Sequence, residues 1–171
     1  MAITQLNRHR NLVIHRIKSQ FCNLFEEIVS GRKERFSGIG AVVYDSEKLA
    51  NLNSVKLRPS IQIPRRYSLE DIGKMSQFLI EMSLLENPLH DGFVFFNESG
   101  EFTHAAQYFA PPPIYGVNPN ENYGTRYHAV LFGSYIDGVI IVGGITSGNH
   151  YYIFEKGRFL KGDSNINEKK F

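Results

Sequence analysis

The sequence predicts an α/β protein of the mixed α+β kind: a single domain with a central twisted mixed β-sheet flanked by helices, and a long helix at the N-terminus. Three observations predict it. Apolar residues recur at helical spacing in two separate stretches. β-branched and aromatic runs bounded by turn residues recur between and after them. The 171 residues, 42% hydrophobic and 21% charged, make one ordinary globular core.

Residues 4 to 29 come first. Ile14, Ile17, Phe21, Leu24 and Ile28 follow at alternating spacings of three and four, which puts them on one stripe of an amphipathic helix. Gly31, followed by Arg32, Lys33 and Arg35, supplies a C-cap and a cationic end. The stripe is expected to pack on the domain or on a second copy of itself. A membrane-surface role fits less well, because the opposite face is not uniformly cationic.

Gly38-Ile39-Gly40-Ala41-Val42-Val43-Tyr44, closed by Asp45-Ser46-Glu47, reads as a buried strand, and short strands are expected at 54–57 and 60–63. Ser68 as N-cap, with Asp71 at N3, starts a helix. Ile72, Met75, Phe78, Leu79, Met82 and Leu85 carry it to about residue 86, where Asn87-Pro88 stops it. Phe93-Val94-Phe95-Phe96, the turn Asn97-Glu98-Ser99-Gly100 and residues 102 to 109 make a β-hairpin. Pro111-Pro112-Pro113 and residues 118 to 123 form a long loop, of a length that often carries function. A helix over 126–135, strands over 138–142 and 151–154, a turn at Gly157 and a last short strand complete the pattern. The expected organisation is a helix at 1–30, a domain at 37–160 and a flexible polar tail at 163–171.

Composition narrows the partners. No apolar run approaches the roughly 20 residues of a bilayer-spanning helix, so no membrane span is expected. The N-terminal segment lacks the compact apolar stretch of an export signal, which implies a cytoplasmic location. Cys22 is the sole cysteine and reads as a small core hydrophobe. The net charge of +2 hides an asymmetry: residues 1–66 hold 12 basic and 5 acidic side chains, the remainder 7 and 12. A polyanion would meet the first half.

Three places bring polar groups to element ends. In Leu89-His90-Asp91-Gly92, Asp91 stands at the mouth of an apolar strand, where it either binds a metal or caps a turn, and Gly92 permits close approach to the backbone. In Gly124-Thr125-Arg126-Tyr127-His128, a helix start offers free amides, a hydroxyl, a planar cation and an imidazole. It is either a phosphate site or a Thr-capped helix with a solvated Arg. In Val142-Gly143-Gly144-Ile145-Thr146-Ser147-Gly148, the glycines allow close approach and Thr146 and Ser147 could donate to phosphate, or the segment is only a hairpin turn. Arg65-Arg66 and His104 are weaker candidates.

In this order, the segments resemble the diadenylate cyclase domain family, over about residues 37 to 160. The resemblance rests on Gly38-Ile39-Gly40-Ala41-Val42, Asn87-Pro88-Leu89-His90-Asp91-Gly92, Gly124-Thr125-Arg126 and Asp137-Gly138-Val139-Ile140-Ile141-Val142. It implies a diadenylate-cyclase-like fold and the condensation of two ATP into cyclic di-AMP with Mg or Mn, in a homodimer whose subunits face each other. It also implies that Asp91 binds the metal and activates the attacking hydroxyl. Gly92, Phe93, Thr125, Arg126, His128, Gly143, Gly144, Thr146 and Ser147 would then contact the nucleotide. The membrane spans and DNA-binding region common in that family are not expected in this sequence.

Three departures reshape the expectation. Phe93 stands where the family has Ala, Tyr127-His128 where it has His-Arg, and Gly143-Gly144-Ile145 where it has Ser-Glu-Glu with a metal-supporting acid. The sequence therefore implies a cyclase of reduced activity on ATP or a related nucleotide. Its alternatives are a catalytically dead nucleotide-binding protein acting as sensor or scaffold, and a cyclase remodelled for another nucleotide or product.

Overall fold

The structure, a computed structural model, describes residues 2–58, 67–148 and 150–163. The expected strand at 60–63, the Arg65-Arg66 pair, Asn149 and the tail beyond Asp163 lie outside the described residues. In chain order the elements are helix α1 (Ala2–Gly31), strand β1 (Gly38–Tyr44), a 3-10 helix (Ser46–Leu52), β2 (Ser54–Lys56), α2 (Ile72–Met82), β3 (Phe93–Asn97) and β4 (Phe102–Phe109). Then come α3 (Thr125–Gly133), β5 (Val139–Thr146), β6 (Tyr151–Glu155) and β7 (Arg158–Gly162).

The seven strands form one mixed sheet in the order β2-β4-β3-β1-β5-β6-β7. β1 is central. It pairs parallel with β3, Gly40 opposite Phe93, and antiparallel with β5, Val42 opposite Val142. Every residue of β1 is buried, because strand alternation sends its two sides into two different cores. Ile39, Ala41 and Val43 join Ile17, Phe21, Leu24, Phe25 and Ile28 of α1 and Met75 and Leu79 of α2. Val42 and Tyr44 join Tyr127, Val130 and Leu131 of α3 on the other face. The helical stripe of α1 is thus spent on α2 and the sheet.

Several expected boundaries move, each for a local reason. Gly31 ends α1 as its last helical residue, not as a left-handed cap; a Cβ there would come 3.2 Å from Ile80, so the glycine allows α1 to approach α2 closely. Asp71, not Ser68, caps α2: its carboxylate accepts from the Lys74 amide, while the Ser68 hydroxyl accepts from Glu70 in the preceding turn. The helix stops at Met82, and the Ser83 hydroxyl donates back to the Leu79 carbonyl. The 3-10 helix after Asp45 is capped by that residue's own carboxylate, which accepts from Glu47.

The largest difference concerns the third candidate segment. Gly143, Gly144, Ile145 and Thr146 continue β5 to Thr146 and form no loop. A glycine pair survives inside a central strand because aromatic side chains cover both faces. A Cβ on Gly143 would meet the Phe25 ring at 2.7 Å, and one on Gly144 would meet the Tyr152 ring at 2.7 Å.

Candidate functional site

One end of the sheet collects the start of β1, the start of β3, the ends of β4 and β5, and the start of β6. The N-terminus of α3 closes over it. A cleft of about 780 Å³ opens there, a volume in the usual range for small-molecule sites. Asp91, Gly92, Phe93, Thr125, Arg126, His128 and Thr146 all line it, so the structure brings together the first two candidate segments, 35 residues apart. Gly143, Gly144, Ser147 and His104 are not among its lining residues.

Each group is held by its own part of the fold. The Asn87 side chain accepts from the Leu89 amide, and the Asn87 carbonyl holds both the His90 amide and the His90 imidazole, setting the loop that leads to Asp91. The Ser37 hydroxyl contacts the carbonyls of Ser83 (2.7 Å) and His90 (3.1 Å), tying that loop to the start of β1. Asp91 is exposed, with the His90 imidazole 3.4 Å from its carboxylate. Gly92, at φ +89, could not be another residue: a Cβ would lie 2.5 Å from the Gln107 carbonyl oxygen. The close approach expected at Gly92 is thus made by the chain's own β4.

Phe93 does not block the cleft. Its ring lies over Gly40, whose missing Cβ would sit 2.3 Å from it, and meets Phe109 edge-on with ring centres 5.1 Å apart. Phe93 is 5% exposed and serves as floor.

Gly124 caps α3 with extended backbone and no side-chain hydrogen bond, and Thr125 is the first helical residue. The amides of the first turn are therefore not met by a side-chain cap. Arg126 is half-buried, with Nη1 3.5 Å from the carbonyl oxygens of Ser37 and Ile145, contacts too long to use its donors well. Gly38, at φ +93, makes this position available, because a Cβ there would be 2.5 Å from Nη1. Burial pulls the guanidinium pKa below its ordinary value, and the neighbouring Tyr152 and Asp91 oppose the shift. The group stays charged at neutral pH.

The residue that sequence reasoning missed is Tyr152. It lies directly opposite Gly144 in the β5–β6 pairing, is fully buried, and presents its ring to the cleft. Its hydroxyl has no hydrogen-bond partner among the described residues, and burial drives its pKa far upward, so the phenol keeps its proton. Tyr127 packs on it edge-on at 5.1 Å and lies 4.7 Å from Tyr123, so aromatic rings line this side of the cleft. The signal for Tyr152 was available: an aromatic residue in the strand after a Gly-Gly pair is the usual cover for a cross-strand glycine.

A carboxylate at Gly144 would have to displace this ring. We expect Gly144→Glu to lower stability by about 1–3 kcal/mol in urea titration, through overpacking. Unchanged stability would mean that Tyr152 does not occupy that space.

Among the described residues no group of three or more His, Cys, Asp or Glu could hold a metal ion, and no helix is long and apolar enough to cross a membrane. No protein-family profile and no curated protein sequence matches the chain. Solved structures do. A hypothetical membrane spanning protein from Bacillus cereus is similar with a TM-score of 0.58 and 17% identity, over 83% of this chain and 61% of that one. A double mutant of DacA from Staphylococcus aureus is similar with a TM-score of 0.56 and 16% identity, over 88% and 89%. This chain spans about 61% of the first neighbour's length and most of the second's. What it shares with them is the fold, which in this chain is a mixed α+β domain with a seven-stranded sheet, consistent with a diadenylate-cyclase-like architecture.

Proposed function

We propose that the cleft binds a nucleotide of the ATP class, and that this is a nucleotide-binding protein on a diadenylate-cyclase-like fold, acting as sensor or scaffold more than as cyclase. One observation carries the reading: Arg126, the uncapped amides of α3 and Asp91 face a single cleft lined by aromatic rings. A guanidinium and helix amides suit phosphate, and flat rings suit a base. The likeness of fold to DacA supports the same choice of ligand class.

Binding is favoured over condensation by Tyr152. It fills the place where the resemblance would put a second acid, which leaves Asp91 as the one carboxylate lining the cleft among the described residues. Mg and Mn take about six oxygen ligands in an octahedron, in nucleotide sites usually one or two carboxylates together with phosphate oxygens and waters. With Asp91 alone, such a cation would depend on phosphate oxygens and water for its other positions, so the described residues give a metal little hold.

The second reading, condensation of two ATP in a face-to-face homodimer, is favoured by Asp91 alone. There the carboxylate would accept the proton of an attacking 3′-hydroxyl as its oxygen bonds to the α-phosphate of the facing nucleotide, with pyrophosphate leaving. Incubation with each nucleoside triphosphate and Mn, followed by mass analysis of products, separates the two. We expect nucleotide bound and recovered unchanged; cyclic dinucleotide formed by the native chain and abolished by Asp91→Asn would establish the second reading instead. In the binding reading, Asp91→Asn leaves affinity unchanged or raises it slightly, because it removes a negative charge near phosphate.

A further inference from the structure

Four buried side-chain polar atoms lack a hydrogen-bond partner among the described residues, and two of them, Tyr152 Oη and His128 Nε2, belong to residues lining the cleft. A buried donor without a partner carries an unrecovered desolvation cost, and such groups are found where a ligand completes them. Tyr152 is the stronger indication, since the residue is 0% exposed and its hydroxyl sits above Gly144, 3.1 Å from where a Cβ would be. Arg126, on the facing helix start, is near enough to act on it electrostatically.

The chemistry of this pair differs from that of a carboxylate. An acid at Gly144 would repel a phosphate unless a cation stood between them, whereas a neutral phenol that keeps its proton donates to a phosphate oxygen directly. Beside it, Arg126 offers a fixed positive charge whose donors are poorly used within the protein. Asp91, the one carboxylate lining the cleft among the described residues, is exposed at the other segment.

We infer that the Tyr152 hydroxyl and Arg126 together hold a phosphate of the bound nucleotide without a divalent cation, so that nucleotide binding here is metal-independent. The inference rests on the nucleotide-binding reading above and adds to it the way the phosphate charge is met. Tyr152 is thus a binding residue, and its phenol replaces a metal-supporting acid.

The test is calorimetric titration of the full chain with ATP, in EDTA and then in excess Mg or Mn, repeated with Tyr152→Phe and with adenosine in place of ATP. Phe keeps the ring over Gly144 and removes only the hydroxyl, so the variant should melt at the native temperature or above, its buried unpaired donor being gone. ATP is expected to bind with the same affinity, within about twofold, in EDTA and in metal. Tyr152→Phe should weaken ATP binding by about 10-fold or more, the range for a hydrogen bond to a charged group, and leave adenosine binding unchanged. ATP binding that requires Mg or Mn would overturn the inference while leaving the nucleotide reading intact. Native-like ATP affinity of the Phe variant in EDTA, or an equal loss with adenosine, would also overturn it. No ATP binding under either condition would end the nucleotide reading and this inference with it.

Discussion

Removing residues 1–30 is expected to leave a chain that does not fold. Ile17, Phe21, Leu24, Phe25 and Ile28 of α1 are all fully buried, packed on the face of the sheet that β1, β3 and β5 present through Ile39, Val43, Phe96 and Ile145. Truncating one buried Phe to Ala typically costs about 3–5 kcal/mol, and a domain's whole stability is about 5–15 kcal/mol. Phe25→Ala alone should therefore lower stability by about 3–5 kcal/mol in urea titration, since its ring also covers Gly143. The deletion removes several such side chains and exposes one side of the sheet. The expected result is loss of a cooperative thermal transition by circular dichroism. A truncated chain that melts cooperatively would show that α1 is an appendage, free to pair subunits, and not part of the core.

Arg126→Ala should weaken ATP binding by about 10- to 100-fold with little change in stability. Its contacts to the Ser37 and Ile145 carbonyls are 3.5 Å long and contribute little to the fold, while a charge-assisted, two-pronged contact to phosphate is worth about 1.5–3 kcal/mol. Arg126→Lys should recover only part of the loss, because a point charge on a flexible stem cannot reproduce the planar fork. Calorimetry gives the affinity and a thermal melt the stability. Full recovery by Lys would mean that only net charge matters at this position, and an unchanged affinity in the Ala variant would remove Arg126 from the site.

Local pattern was enough for elements whose residues specify themselves. The boundaries of β1 and of the β3–β4 hairpin, and the buried stripe of α1, follow from apolar spacing and turn residues, since each buries side chains in a way that its own periodicity announces. Patterns failed where a distant residue decides the outcome. Gly143-Gly144 reads locally as a loop, and only the rings of Phe25, far back in α1, and Tyr152, across in β6, make it a strand. Ser68 and Asp71 are both competent caps, and the chain chose the one whose carboxylate also pairs with the Lys74 ammonium at 2.8 Å.

The lining of the cleft was legible to the same extent. Asp91, Gly92, Thr125 and Arg126 carry recognisable chemistry at element ends, and the parallel pairing of β1 with β3 and the packing of α3 on β5 and β6 bring them to one cleft. Phe93 was legible as a departure but not as a floor, because its accommodation depends on Gly40 in the neighbouring strand. Tyr152 looked like ordinary strand material. Its candidacy rests on a hydroxyl with no hydrogen-bond partner among the described residues, a property of three-dimensional packing.

Titration of isotopically labelled protein with ATP, followed by amide chemical-shift mapping, tests the central claim most directly. The account predicts that the perturbed amides cluster at Gly92, Thr125, Arg126, Thr146 and Tyr152 and saturate together. Shifts confined to another part of the surface, or none at saturating ATP, would contradict it.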